Sequence, residues 1–135
     1  MITFERIQNQ NFDPAYFADS KGVENTMILE SQEMFNSAII GWCSKRKAFV
    51  YDYDCLIENL MNPNPILTMT ENQAINWICN NIIPTIDFVL YSDSKRMNPC
   101  IVVYQDIIEP QCFVVMAGIE ANLQQTLTQE VKKHG

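Results

Sequence analysis

Two aspartates separated by a single tyrosine, Asp52 and Asp54, are the one pair whose type and spacing suit acid–base work. On a strand, residues two apart share a face, and two carboxyls so placed can divide the roles of acid and base. The competing reading is structural: Asp54 caps a helix and Asp52 closes a hairpin. Other chemistry finds less support. The single histidine, His134, is next to the last residue, which removes most Ser-His, Cys-His and His-metal constellations. The five cysteines, Cys43, Cys55, Cys79, Cys100 and Cys112, are scattered with no CxxC pair. They read as free thiols of a reducing compartment, and no ligand pair has the spacing of a zinc site. The four glycines form neither GxGxxG nor GxxxxGK[ST]. No catalytic residue, metal or cofactor is expected, and the chain reads as a binding protein rather than an enzyme.

Charge is the next source of information. The formal net charge of −7 argues against general nucleic-acid binding, since phosphates would be repelled. Between Ala48 and Ser94 there is no Lys or Arg, yet Asp52, Asp54, Glu58, Glu71, Asp87 and Asp93 fall there. These acids are either helix caps and turn residues or an acidic face for a basic partner. Basic residues cluster instead at Lys45-Arg46-Lys47, Lys95-Arg96 and Lys132-Lys133. The first two clusters are either solvated turns or grips for a phosphate or an acidic partner. Trp77 points away from the Ile75/Ile78/Ile82 face of its predicted helix. It is either covered by a neighbouring strand or an exposed aromatic anchor of the kind found at interface hot spots.

The elements that must position these residues are those of a single α+β domain over 1–135, since two cores would each be too small. Ile2–Ile7 suits an edge strand, and Pro14 suits an early helical position followed by a turn at Ser20-Lys21-Gly22. A hairpin is expected over 38–53: Ala38–Trp42 and Ala48–Tyr53 are apolar, β-type runs joined by the polar Ser44–Lys47. Two short central helices follow, over about 54–62 and 71–83. The first has an apolar face of Leu56, Ile57, Leu60 and Met61. The second opens with a capping box, Thr70-Glu71-Asn72-Gln73, buries Ala74, Ile75, Ile78, Cys79 and Ile82, and ends at Pro84. Phe88–Tyr91, Ile101–Tyr104 and Phe113–Met116 read as strands of a small antiparallel sheet. Ile119, Leu123, Leu127 and Val131 mark a C-terminal helix over about 119–133. Its narrow stripe either docks on the body or pairs with a second copy as a homodimer. Nothing approaches the ~20 apolar residues of a membrane span. The N-terminus lacks the basic and apolar regions of a signal peptide, so a cytoplasmic location is expected.

The ordered set Ala38-Ile39-Ile40-Gly41-Trp42, Val50-Tyr51-Asp52-Tyr53-Asp54, Leu56-Ile57-Glu58, Leu60-Met61, Met69-Thr70, Ala74, Trp77-Ile78 and Asn81-Ile82-Ile83 resembles a group of short, uncharacterised proteins of tailed bacteriophages. The likeness runs over residues 38–83 and departs at the Pro-containing insert Asn62–Leu67 and in the C-terminal third. It implies a phage-encoded protein of the host bacterial cytosol. It further implies an anti-defence role, as in an anti-CRISPR, exerted by occupying a host protein such as a defence nuclease or effector complex. Asp52, Asp54, Glu58, Glu71 and Trp77 are the candidate partner contacts. Two other functions stay open: a sponge for a small molecule or nucleotide signal, with Lys45, Arg46, Lys47, Lys95 and Arg96 on its phosphates, and a phage structural or assembly component.

Overall fold

The computed structural model describes residues 2–8, 13–62, 68–92, 97–110 and 112–119. The fold is α+β, built on a five-stranded mixed sheet in the order β1-β2-β3-β4-β5. The strands are β1 (Glu5–Arg6), β2 (Ile39–Cys43), β3 (Ala48–Asp52), β4 (Ile101–Gln105) and β5 (Phe113–Ala117). Helices α1 (Pro14–Ser20) and α2 (Gln32–Phe35) precede β2, and α3 (Tyr53–Met61), α4 (Glu71–Trp77) and α5 (Ile83–Leu90) join β3 to β4. No helix among the described residues is long and apolar enough to cross a membrane.

The expected hairpin forms, with Trp42 opposite Phe49 and Cys43 opposite Ala48. The sheet is not purely antiparallel, however, because β3 and β4 run parallel, with Val50 beside Ile101 and Asp52 beside Val103. A parallel neighbour requires a long crossover and protection on both faces. The crossover is α3–α5, and both faces of β3 are covered. Trp42, Phe49, Tyr51 and Val102 lie in the larger core with the helices, and Phe17 meets Trp42 and Phe49 at ring distances of 5.7 and 5.9 Å. Val50, Ile101 and Val103 face the opposite side with Ile40, Phe113 and Phe4. A register shift between Ile39 and Gly41 lets Ile39 and Ile40 point to opposite cores. Gly41 lies directly under Phe4: a Cβ there would overlap the Phe4 ring and stand 2.7 Å from the Glu5 carbonyl oxygen. At φ +96°, Gly118 needs the left-handed region, and a Cβ would strike the Cys100 carbonyl.

Helix α3 starts one residue before its expected position. Asp52, not Asp54, is the cap, accepting from the Cys55 N–H at 3.3 Å. Its backbone is extended because it still pairs with β4, so the last strand residue doubles as the first helical acceptor. Met61 and, on the following helix, Cys79, both expected on buried faces, are exposed. The capping box of α4 is present as expected, with Thr70 Oγ1 accepting from Gln73 N–H and Gln73 Oε1 from Thr70 N–H.

The largest departure follows. Pro84 does not end the helix: the chain widens into a π turn at Ile78–Ile82 and continues as α5, so Phe88–Leu90, expected as a strand, is helical. In the wider turn the Ile83 N–H reaches back to the Ile78 carbonyl, which makes room for a proline that has no N–H to donate. Two side chains also bond back onto backbone carbonyls of the turn. Asn81 Nδ2 donates to the Trp77 carbonyl at 3.0 Å, and Thr85 Oγ1 to the Asn81 carbonyl at 2.6 Å. The edge strand at the N-terminus shrinks to Glu5–Arg6. The expected C-terminal helix, with its dimer stripe, lies beyond the described residues from position 120 onward.

Candidate functional site at the carboxyl ends of β3 and β4

Because β3 and β4 are parallel, both strands deliver their carboxyl ends to the same end of the sheet. In open sheets with parallel strands, that is where functional groups gather. The α3 N-terminus starts there, and the β4–β5 connection leaves from there.

Asp52 spends its carboxylate on the helix cap. Asp54 lies in the first turn of α3 and Glu58 one turn later, both exposed. Glu71 occupies the first turn of α4, which packs against α3. Between them sits Tyr53, half-buried. Burial raises its phenol above the ordinary value, and the neighbouring Cys79, Asp54 and Glu71 raise it further. Asp54 and Glu71, seventeen positions apart in sequence, both contribute to the negative field at that hydroxyl. The same field reaches Cys55. Its thiol is pushed up to about 12, first by burial, then by hydrogen bonding to Asp52 and by the charges of Asp52, Glu58 and Asp54. A thiol so held is a poor nucleophile at neutral pH. Asp52 and Asp54 do not form an acid–base pair, since one is a cap and the other a first-turn surface residue. The only ion pair among the described residues, Lys21 with Glu5 at 3.3 Å, lies elsewhere. Asp54, Glu58 and Glu71 are exposed, and none of them forms an ion pair among the described residues.

Trp77 is not part of this surface. It leaves α4 on the other flank and stacks on Phe35 of α2, with ring centres 5.9 Å apart and planes at 29°. A helix, not a strand, covers it, and only partly. With Thr68, Met69, Gln73, Asn76, Asn80 and Asn81 it lines an open groove of about 470 Å³. The lining carries no charge, so the groove offers a phosphate no counter-charge. Lys45, Arg46 and Lys47 are exposed on the hairpin turn at the opposite end of β3, with Lys47 at φ +55°. Lys95 and Arg96 lie outside the described residues.

Sequence reasoning passed over three features. Tyr53 as the hub of the acidic flank had a signal in Tyr-Asp-Tyr-Asp itself. The π turn had one in Asn-Asn-Ile-Ile-Pro-Thr, where side-chain donors precede and follow a proline. The third is the pair Ile107-Ile108 in the β4–β5 loop, an apolar dipeptide set between acids and a proline. Among the described residues no group of His, Cys, Asp or Glu could hold a metal ion, and all five cysteines are free. No protein-family model matches the chain, and neither a curated protein nor a solved structure matches it.

Proposed function

We propose that the protein acts by binding another protein in the bacterial cytosol, as a phage-encoded stoichiometric inhibitor of a host defence enzyme or complex, anti-CRISPR-like in mode. The observation that carries the reading is the concentration of exposed carboxylates, Asp54, Glu58 and Glu71, with no ion-pair partner among the described residues, on two packed helices at one end of the sheet. Unpaired surface carboxylates add nothing to stability beyond small helix-dipole terms. They do create a negative field that steers a basic partner and rejects an acidic one. A defence nuclease or effector complex presents such a basic surface wherever it grips nucleic acid, and an acidic face of this kind would occupy it.

The small-molecule alternative has its own motivating feature in the groove beside Trp77. Its uncharged, carboxamide-rich lining suits a neutral ligand rather than a nucleotide. Affinity capture of the tagged protein from bacterial lysate separates the readings. The protein-binding reading expects one host protein retained at equal stoichiometry and released by salt. An empty capture, combined with a melting temperature raised by a small molecule in excess, would reject it.

A further inference from the structure

The β4–β5 loop is braced from within. The Asp106 carboxylate accepts from the Ile108 N–H at 2.7 Å and the Glu109 N–H at 3.3 Å. The Asp106 N–H donates to the Cys112 carbonyl and the Cys112 N–H to the Glu109 carbonyl, at 3.0 and 2.8 Å. Gln105 Nε2 donates to the Pro110 carbonyl and the Cys112 thiol to a Glu109 carboxylate oxygen. The bonds close the loop on itself, yet its two large apolar side chains take no part in the packing. Ile107 is 94% exposed and Ile108 89% exposed, the highest values among the large apolar residues described. A loop that needed only to turn would place polar residues at these positions. Adjacent isoleucines on a backbone held in one shape instead meet the requirement for an apolar anchor, with the ordering cost met before binding.

The geometry points to Ile107 and Ile108 as a hydrophobic plug that enters an apolar cleft on a partner protein, with basic groups at the rim of that cleft. The inference rests on the protein-binding reading above and names its anchor. Charge decides the partner's chemistry. Asp106 and Glu109 flank the plug and no Lys or Arg occurs between Met97 and Ile119, while Arg6 lies over the ring of Phe113 at the foot of β5 and not on the loop itself. The loop leaves the carboxyl end of β4, at the same end of the sheet as Asp54. An anionic membrane would be repelled by these acids, and so would a second copy approaching by the same end. A partner cleft lined by aliphatic or aromatic groups and ringed by Lys or Arg would satisfy both the isoleucines and the carboxylates.

The test places a photo-reactive benzoyl-phenylalanine at Ile108, with a control at Tyr16, another exposed apolar residue. Both forms are irradiated in bacteria expressing the full chain, and the protein captured by the unmodified chain is purified. The expected result is an adduct of that captured protein from position 108 and none from position 16. The purified partner should bind Ile107→Asp and the milder Ile107→Ser at least about tenfold more weakly than the unaltered chain, with the melting temperature unchanged. Capture that persists with no adduct and no loss in either variant overturns the plug while leaving the protein-binding reading intact. An adduct of twice the chain's own mass overturns it in favour of self-association. No capture by the unaltered chain overturns the plug and the reading together.

Discussion

The two ends of β3 carry opposite charge on very different supports. At its start, Lys45, Arg46 and Lys47 sit on a four-residue hairpin turn, tied back by one long hydrogen bond from Asn98 Nδ2 to the Lys47 carbonyl at 3.3 Å. At its finish, the carboxylates of Asp54, Glu58 and Glu71 stand on two helices packed against each other, the first of them also against β3 and β4. A cluster of long Lys and Arg side chains on a turn can attract a partner but loses more side-chain freedom in holding its groups in register. A rigid one can do both, because less side-chain and backbone freedom is lost on contact. The difference teaches that net charge alone is a poor guide to the binding end. The support beneath the charge tells more.

The largest effect would come from breaking the strand that carries both ends. Phe49 is fully buried and meets the Trp42 ring at 5.0 Å, so Phe49→Ala should cost ~3–5 kcal/mol in urea unfolding and weaken partner binding through loss of folded protein. Tyr51→Phe is gentler: it leaves the Leu29 N–H without the acceptor it finds at 3.0 Å on the Tyr51 hydroxyl, and should cost about 1–3 kcal/mol.

The acidic end separates from the basic end on charge reversal. Asp54→Lys, Glu58→Lys and Glu71→Lys together should weaken partner binding by roughly 100-fold, mostly through opposed charge. Reversal of Lys45, Arg46 and Lys47 to Glu should change it by less than about threefold, as expected for a solvated turn. Within the acidic end, Asp52 and Asp54 should differ in kind. Asp52→Ala removes a cap and costs ~1 kcal/mol of stability, whereas Asp54→Ala should leave stability within about 0.5 kcal/mol and act on binding alone.

The smallest effect concerns the thiols. Exposed Cys79 should react with an aromatic disulfide reagent at once, and buried Cys43 and Cys100 only as the chain unfolds. Cys55 keeps its proton in the folded protein up to about 12, while the unfolded chain loses it near the ordinary value of 9. Its contribution to stability is therefore complete below pH 9 and is lost as pH rises from 9 towards 12. Melting temperatures across that window should fall less steeply in Cys55→Ser.

The parts legible in the sequence were those set by local rules. The hairpin of β2 and β3, the buried Leu56, Ile57 and Leu60 of α3 and the Thr70 capping box each announce themselves within a few residues, and each forms. Three things depended on more than the residues' own preferences and were misread. Phe88–Leu90 is β-branched and aromatic enough for a strand, but the π turn upstream carries the helix through Pro84 and overrides that preference. The parallel pairing of β3 with β4 joins residues about fifty positions apart, which no local pattern encodes. Tyr-Asp-Tyr-Asp offers two possible caps, and the choice of Asp52 is made by its pairing with Val103 on β4. Of the candidate site, the acids of α3 and α4 could be nominated from the absence of nearby bases. Their convergence on Tyr53, and the separation of Trp77 onto the other flank, required the packing of α4 against α3 and α2.

The most direct test of the account is a side-by-side affinity capture from bacterial lysate. The unaltered chain is compared with the triple reversal of Asp54, Glu58 and Glu71 and with the triple reversal of Lys45, Arg46 and Lys47, after circular dichroism shows all three equally folded. The account predicts one host protein held at equal stoichiometry by the unaltered chain and by the basic-end variant, and lost from the acidic-end variant. Retention by the acidic-end variant, or loss confined to the basic-end variant, would contradict it.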